Sequence, residues 1–407
     1  MRTLISFAAL FLSVILLQLS TGGVGPLDAM SGLALDFTTA EVGLLGSAHF
    51  VGFFIGCWWA PRLMGTVGHS RAFAAFTAAG AIGLLAHMLI IDPYAWSLMR
   101  IASGVCVAGC YTVIESWINA KVTNETRGRS MGAYRVADIG ASLVAQLMIG
   151  VLEPASYISY NILAILCCAS LLPLTLTRVP APEIPQAPRL RPGLAWACSP
   201  LAVAGVIVAA VSGASFRMVG PVFGQRMGLE LDQIAYFLAL YVLGGALAQI
   251  PVGWLSDRHD RRHVLLWLSV AAIASCAITV LTADIDTLTL MLTAMLFGLT
   301  SFPIYSVASA HAHDHAESHQ RVELSAALMF WYAVGAIAAP LAASGLIATF
   351  GGDAMFAMIA AAHAALIGFG LVRMRKRPTT AQRTRYVYAP RTSFLIGRLT
   401  GQSRDKP

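Results

Sequence analysis

Twelve times along this chain, about 20 apolar residues follow one another with few charges, which is the length a helix needs to cross a hydrocarbon layer. The runs fall at 4–25, 41–61, 72–91, 95–119, 130–151 and 157–177, then at 196–219, 233–255, 264–283, 287–310, 323–348 and 354–373. Lipid offers a peptide group no hydrogen-bond partner, so such runs must satisfy their backbones internally as helices. Only 12% of the 407 residues are charged and 57% are hydrophobic, against about 25% charged in a soluble protein. The expected fold is therefore an all-α membrane protein with twelve transmembrane helices in two six-helix bundles. The apolar start of the chain is longer than a typical leader core and reads as the first span.

Residues 178–194, R-V-P-A-P-E-I-P-Q-A-P-R-L-R-P-G-L, separate the two sets of six. Their prolines and charges read as an extended linker. The expected organisation is a first bundle over 1–177, a linker over 178–194, a second bundle over 195–377 and a basic, unstructured tail over 378–407. Tyr134-Arg-Val in span five resembles Tyr332-Ala-Val in span eleven, which hints at an internal repeat.

Charge sets the orientation. Arg62, Arg71, Lys121, Arg127, Arg129, Arg178, Arg189, Arg191, Arg258, Arg261 and Arg262 lie on one side of the spans, joined by Arg373, Arg375, Lys376 and Arg377 after the last. The opposite connections carry mainly acids, namely Asp28, Asp36, Glu41, Asp92, Glu153, Asp284, Asp286 and Asp353, with Arg226 as the exception. Basic loops stay in the cytoplasm, so both termini are expected there, in a bacterial inner (plasma) membrane. The segment 310–323 is cytoplasmic by this count yet not positive. A net charge of +7 spread over loops forms no continuous patch and does not point to nucleic acid.

Span four, R-I-A-S-G-V-C-V-A-G-C-Y-T-V-I-E-S-W-I-N from Arg100 to Asn119, carries two charges that lipid does not tolerate cheaply. At roughly 100° per residue Arg100, Gly104, Ala108, Tyr111 and Glu115 share one face. Span five repeats the pattern with Arg135, Asp138, Ser142 and Gln146. Such residues face a protein interior or a water-filled path. Glu115, Arg135 and Asp138 are candidates for a charge cluster that couples protonation to gating; a permanently ionised structural cluster is the alternative. No acid is evident at the depth of Arg100, so Arg100 is a candidate for an anionic group of a substrate, or for tuning a coupling carboxylate.

The connection after span eight reads Gly253-Trp-Leu-Ser-Asp257-Arg258-His-Asp-Arg261-Arg262. It resembles the G-x-L-a-D-R-x-G-R-R signature of the major facilitator superfamily, with Asp260 where Gly is usual. The first-half counterpart, Pro61 to Arg71, keeps Gly68 and a basic residue but has Gly65 at the acidic position. Arg100-Ile-Ala-Ser-Gly104 is similar to the family's R-x-x-x-G pattern, with Ser103 where Gln is common. Glu115-Ser-Trp-Ile-Asn, Arg127-Gly-Arg-Ser-Met-Gly-Ala-Tyr and Met329 to Pro340 resemble the YcaD-type branch. The resemblance implies a secondary transporter with alternating access by two bundles around a midplane site, with Asp257, Arg258 and Arg261 as gating candidates. In that family spans one, four, seven and ten line the cavity. This adds Gln18, Thr21 and Tyr111, Ser212, Ser215 and Phe216, and Thr300 and Tyr305, with Gln146 of span five, as substrate-binding candidates; ordinary helix packing by small and hydroxyl residues is the alternative for each.

His49 in span two reads as a packing histidine. His311, His313, His315 and His319, with Asp314 and Glu317, read as a solvated loop rather than a metal centre, and the seven cysteines read as packing residues without metal-type spacing. No phosphate-binding Walker sequence and no nucleophile elbow is present. No metal, no cofactor and no enzymatic activity are expected. The partners implied are a small solute of unknown class, protons and the bilayer. The function implied is secondary active transport, with an efflux antiporter or a non-transporting receptor on the same fold as alternatives.

Overall fold

The computed structural model describes residues 2–122, 127–176, 189–283 and 285–376, with Thr384, Tyr386, Val387, Ala389 and Thr392. Linker residues 178–188, Asp284, Arg377 and most of the tail lie outside the described residues, as do the side chains of Lys121 and Arg127.

In chain order the α-helices are α1 (Arg2–Ala34), α2 (Thr39–Val67), α3 (His69–Ala86), α4 (Pro93–Lys121), α5 (Arg127–Met148), α6 (Tyr157–Ala169) and α7 (Leu171–Leu176). They continue as α8 (Pro192–Cys198), α9 (Pro200–Arg226), α10 (Leu231–Arg258), α11 (Arg261–Thr282), α12 (Thr287–Ser301), α13 (Ile304–His313), α14 (Arg321–Phe350) and α15 (Ala354–Lys376). No strand occurs among the described residues. Ten helical segments among the described residues are long and apolar enough to cross a membrane; α3 and α5 stand where the third and fifth spans are expected. The sixth span is α6 with α7. The tenth is α12 with α13, broken where Pro303 follows Phe302. Large apolar side chains cover the outside, as with Ile250 at 84% and Leu89 at 81% exposure, an exposure that suits lipid and not water.

The chain divides into two compact units, 1–187 and 188–407. Within the first, α1 packs on α5 and α6, α2 on α4, and α3 on α4 and α6. Within the second, α9 packs on α14, α10 on α12, and α11 on α12 and α15. Numbered by span, the pairings one–five, two–four, three–four and three–six recur as seven–eleven, eight–ten, nine–ten and nine–twelve.

The repeat extends to atoms. A Cβ on Gly52 of α2 would stand 2.0 Å from the Ile101 carbonyl oxygen, and one on Gly104 of α4 would stand 2.1 Å from that of His49. In the second unit a Cβ on Gly244 of α10 would stand 2.1 Å from the Met295 oxygen, and one on Gly298 of α12 would stand 2.1 Å from that of Tyr241. In each unit two glycines face each other's helix three residues upstream. Without a hydrophobic drive between helices in lipid, such backbone-to-backbone approach supplies the packing attraction.

Several acids that the sequence places in loops are helix caps. Asp92 Oδ1 accepts from the backbone N–H groups of Tyr94 and Ala95 at 3.0 and 2.8 Å. Asp286 accepts from Thr289 N–H at 2.8 Å, and Glu41 closes a capping box with Thr38. Each occupies the orphan donors of a helix N-terminus.

Three expectations are corrected here. The first span, expected over 4–25 with Pro26 as its stop, does not end there: α1 runs unbroken to Ala34 with Pro26 inside it. Proline has no N–H for the carbonyl four residues back, which is Gly22, and Gln146 Nε2 donates to Gly22 O at 3.0 Å instead. The backbone gap is thus closed by a side chain from α5. As a consequence Asp28 is no loop acid: it lies two residues past Pro26 within α1 and is 1% exposed. Finally, His311 and His313 sit in α13, and His311 is buried at 7% exposure, so this part of the histidine-rich segment is helix interior and not solvated loop.

Gly104→Val and Gly298→Val should each destabilise the detergent-purified protein by about 1–3 kcal/mol, the usual range for overpacking. Gly345→Ala, with open space around its Cβ position, should leave the melting temperature unchanged or raise it. Equal melting temperatures for all three variants would show that the glycine crossings carry no packing energy.

Candidate functional site

The first unit buries two polar clusters. One is built on Asp28. Arg100 Nε lies 3.3 Å from Asp28 Oδ2, His87 Nε2 lies 3.5 Å from the same oxygen, and the Tyr160 hydroxyl donates to Asp28 Oδ1 at 2.9 Å. Four helices meet here: α1 brings Asp28, α3 ends against His87, α4 brings Arg100 and α6 brings Tyr160. All four side chains are at most 1% exposed. The His87 ring stacks on Tyr160 with centroids 4.9 Å apart, and Trp96 closes the set at 4.9 Å from His87 and 5.9 Å from Tyr160. Trp96 Nε1 donates to the His87 and Ile90 carbonyls at 2.9 Å each, which fixes the chain where it leaves α3.

The expectation that no acid stands at the depth of Arg100 is thereby overturned. It failed because proline was read as the end of the first span, which put Asp28 outside. The sequence signal that finds it is the helical phase of span one: Thr21, Gly25 and Asp28 lie on one face at i, i+4 and i+7.

Hydrogen-bonding roles in this cluster follow from the groups themselves. His87 Nδ1 is 2.6 Å from the Gly83 carbonyl oxygen. A carbonyl cannot donate, so Nδ1 carries the hydrogen. Nε2 of a neutral ring then presents a lone pair to Asp28 Oδ2. Two acceptors oppose each other unless a proton resides on one of them. This pair of acceptors stands beside the Arg100 guanidinium.

The second cluster gathers the coupling candidates of α4 and α5 with span one. The Tyr111 hydroxyl lies 2.5 Å from Asp138 Oδ1 and 2.7 Å from the Gln18 carboxamide. Its one proton goes to the charged acceptor, and the Gln18 carboxamide completes the set. The Tyr134 hydroxyl donates to Glu115 Oε1 at 3.0 Å, and both residues are fully buried. Arg135 and Asp138 are half-buried on the next turns of α5. Gln18, Tyr111, Glu115 and Asp138 are thus brought into one region of the first unit. Gln146 is occupied by the Gly22 carbonyl, and the Thr21 hydroxyl donates to Leu17 O at 2.8 Å within its own helix.

The second-unit candidates are dispersed. Ser212 Oγ donates to Val208 O at 3.0 Å and meets His363 Nε2 at 3.0 Å. Ser215 is fully buried. Phe216 sits inside an aromatic core with Tyr241, Phe237 and Phe297 at 4.3, 5.0 and 5.4 Å. The Thr300 hydroxyl bonds back to its own helix and lies 3.2 Å from Ser275 Oγ. Tyr305 packs edge-on to Tyr332 at 5.5 Å.

The signature after α10 is a buried salt-bridge junction. Arg261, 1% exposed, lies 2.6 Å from Asp314 Oδ1 and 3.4 Å from Asp257 Oδ1. Arg258 covers the Trp254 ring at 4.2 Å. Asp260, where the family usually has Gly, caps α11: its Oδ1 accepts from Arg262 N–H at 3.0 Å and its Oδ2 from Arg262 Nη2 at 2.8 Å. Partial burial would raise its carboxyl, but these Arg262 bonds outweigh burial and hold it below the ordinary value. A carboxyl lowered on folding stabilises the fold at pH values above its unfolded range, and that contribution is lost as pH falls through the lowered value. Six of the seven cysteines are buried, and among the described residues no group of three or more His, Cys, Asp or Glu is placed to hold a metal ion.

This repeated bundle architecture has counterparts among known proteins. Residues 201–396 match the model of the Major Facilitator Superfamily. An uncharacterised MFS-type transporter of Enterobacter sp. (strain 638) is 27% identical over 330 residues, covering 80% of this chain and 84% of that one. The MFS-type transporter YcaD of Salmonella enteritidis PT4 is 27% identical over 337 residues, with the same coverage. In structure the chain is similar to the nucleoside transporter NupG (TM-score 0.74, 15% identity, 92% of this chain and 99% of that one). It is also similar to a bacterial homologue of the human lysosomal transporter Spinster, in an inward-facing, unoccupied conformation (TM-score 0.72, 15% identity, 98% and 97%). Together these matches show that the second half of the chain fits the Major Facilitator Superfamily model and that four-fifths of the chain is similar to MFS-type transporters of the YcaD kind.

Removing one member of the buried pair should cost far more than removing both. Asp28→Ala or Arg100→Ala alone should destabilise by about 3–5 kcal/mol, because an uncompensated charge is left in the interior. The double variant should lose clearly less than the sum. A strictly additive double-mutant cycle, measured by thermal unfolding in detergent, would rule out a direct energetic pairing.

Proposed function

We propose that this protein is a proton-coupled secondary transporter of a small solute, working by alternating access, with both termini on the cytoplasmic side of a bacterial inner membrane. The observation that carries the coupling is the opposed acceptor pair of Asp28 and His87 beside Arg100. A proton arriving there, on either group, adds one positive charge beside the Arg100 guanidinium in a water-poor interior. That state is costly, so protonation favours a rearrangement that gives Arg100 another partner or water. Tyr160, bonded to the other Asp28 oxygen, moves with the same event.

Arg100 in this reading is the partner of the coupling carboxylate and not a free cation for an anionic solute. Recognition of the solute falls to the Gln18, Tyr111 and Asp138 set, whose half-buried Gln18 and Asp138 are reachable by a ligand. Glu115, held by Tyr134, joins Asp138 as a second carboxylate whose ionisation the solute or a proton can change. Orientation rests on the basic connections counted in the sequence. The likeness to a nucleoside transporter adds nucleosides to the solutes worth testing and nothing more, since fold does not fix function.

The test begins with a thermal-shift panel of sugars, amino acids, organic acids, nucleosides and amphipathic drugs, because a specific ligand stabilises the folded state by mass action. With the ligand so found, proteoliposomes carrying wild type should accumulate it when a pH gradient is imposed. Asp28→Asn should keep the ligand-induced shift and solute exchange but lose gradient-driven accumulation by about tenfold or more. Full accumulation by Asp28→Asn would remove Asp28 from coupling, and uptake indifferent to the gradient in wild type would leave facilitated diffusion.

A further inference from the structure

The tail beyond α15 reads in sequence as an unstructured basic segment, yet its described residues lie in a polar cleft of the second unit. Thr384 N–H and its hydroxyl both donate to Asp314 Oδ1, at 2.8 and 2.9 Å. Arg261 donates to the Thr384 hydroxyl at 3.0 Å and to the Thr384 carbonyl. Tyr386 N–H donates to Asp257 Oδ1 at 2.7 Å, and the Tyr386 hydroxyl donates to Gln249 Oε1 at 2.9 Å. Ala389 N–H donates to Ser306 Oγ at 3.2 Å. The Tyr386 ring lies over Gly253, where a Cβ would stand 2.8 Å from its Cδ1 atom.

We infer that α10, α11 and α13 form a binding cleft for an extended peptide strand, and that its occupant is the tail of the same chain, held at Thr384, Tyr386 and Ala389. Three features select an extended backbone. Carboxylates at the end of α10 and just after α13 take N–H groups two residues apart, Thr384 and Tyr386, the spacing at which a strand presents donors on one side. A buried guanidinium takes the carbonyl between them. A side-chain-free position, Gly253, receives the aromatic ring. The contacts are charge-assisted at both carboxylates and at Arg261, which makes them stronger than neutral bonds. The bound segment joins three helix ends that also meet at the Asp257–Arg261–Asp314 junction. It is a strap across one end of the second unit, and its release would free two carboxylates and an arginine at the junction that the family signature marks.

Limited trypsin digestion of the full-length protein in detergent tests this without any transported solute, so its result stands apart from the coupling proposal. Arg383 and Arg385 flank Thr384 in sequence, and a protease that cuts beside Thr384 must draw Thr384 out of the cleft. Tyr386→Ala removes the ring and its bond to Gln249. Gly253→Leu fills the ring's place from the helix side and leaves the tail sequence untouched. Both variants should be cut after Arg383 and Arg385 about tenfold faster than wild type, since cleavage tracks the population of the open form. Equal cleavage rates for wild type and Tyr386→Ala would overturn the inference. So would rapid wild-type cleavage at these bonds, matching that of a denatured control. Acceleration by Tyr386→Ala but not by Gly253→Leu would overturn the assignment of Gly253 as the ring's seat.

Discussion

A peptide group inside a bilayer has no water to bond, and every part of this fold bends to that rule. The rule explains the helices, but its finer consequence lies at Pro26. A proline in mid-span orphans one carbonyl, and an orphaned carbonyl in hydrocarbon costs several kcal/mol. The Gln146 amide answers it from α5. That bond lets α1 continue to Ala34, which brings Asp28 to the buried level of Arg100. The ion pair thus depends on the mending of a backbone defect by another helix.

Packing obeys the same rule by other means. Where lipid tails are as apolar as leucine, helices associate through close contact, and glycine permits the closest. The two reciprocal glycine crossings bring backbones together in each unit at matched positions. The polar interior that remains is arranged in closed sets: Asp28 with three partners, Glu115 with Tyr134, Asp138 with Tyr111, and Arg261 with two carboxylates. A buried pair of this kind is dear to break and, replaced wholly by apolar groups, cheap to lose. Its presence therefore argues for use in a transition more than for stability.

The helices were legible in the sequence because length and apolarity alone decide a span. The co-facing of Tyr111 and Glu115 in span four was legible from helical phase. Three things were not. Pro26 was read as a terminus, because proline ends more helices than it interrupts, and that hid Asp28. Asp92 and Asp286 counted as loop charge although their carboxylates cap α4 and α12; a cap needs the three-dimensional turn to be recognised. The tail gave no sign of binding, since its anchors are mainly backbone N–H groups, which every residue but proline has, and composition cannot show which of them find an acceptor. The candidates of the second unit were chosen by analogy of span number, and there the structure finds mostly intrahelical bonds and aromatic core.

Matching the units by their crossing glycines shows where the repeat stops. Gly104 answers to Gly298, so Arg100 answers to Ala294, Tyr111 to Tyr305 and Glu115 to Ser309. Tyr134 answers to Tyr332, so Arg135 and Asp138 answer to Ala333 and Ala336. The tyrosine pair is kept: in the second unit Tyr305 and Tyr332 pack edge to face, while in the first Tyr111 and Tyr134 each donate to a carboxylate. The scaffold is duplicated and the ionisable groups are not. A group that changes charge during a cycle must sit where the change alters a balance, and two copies would have to titrate together to work as one. The carboxylates of spans four and five have no counterpart at the matched positions of the second unit. The second unit instead has an apolar aromatic interior around Phe216 and pairs Asp257 and Asp314 with Arg261 at the junction of α10, α11 and α13.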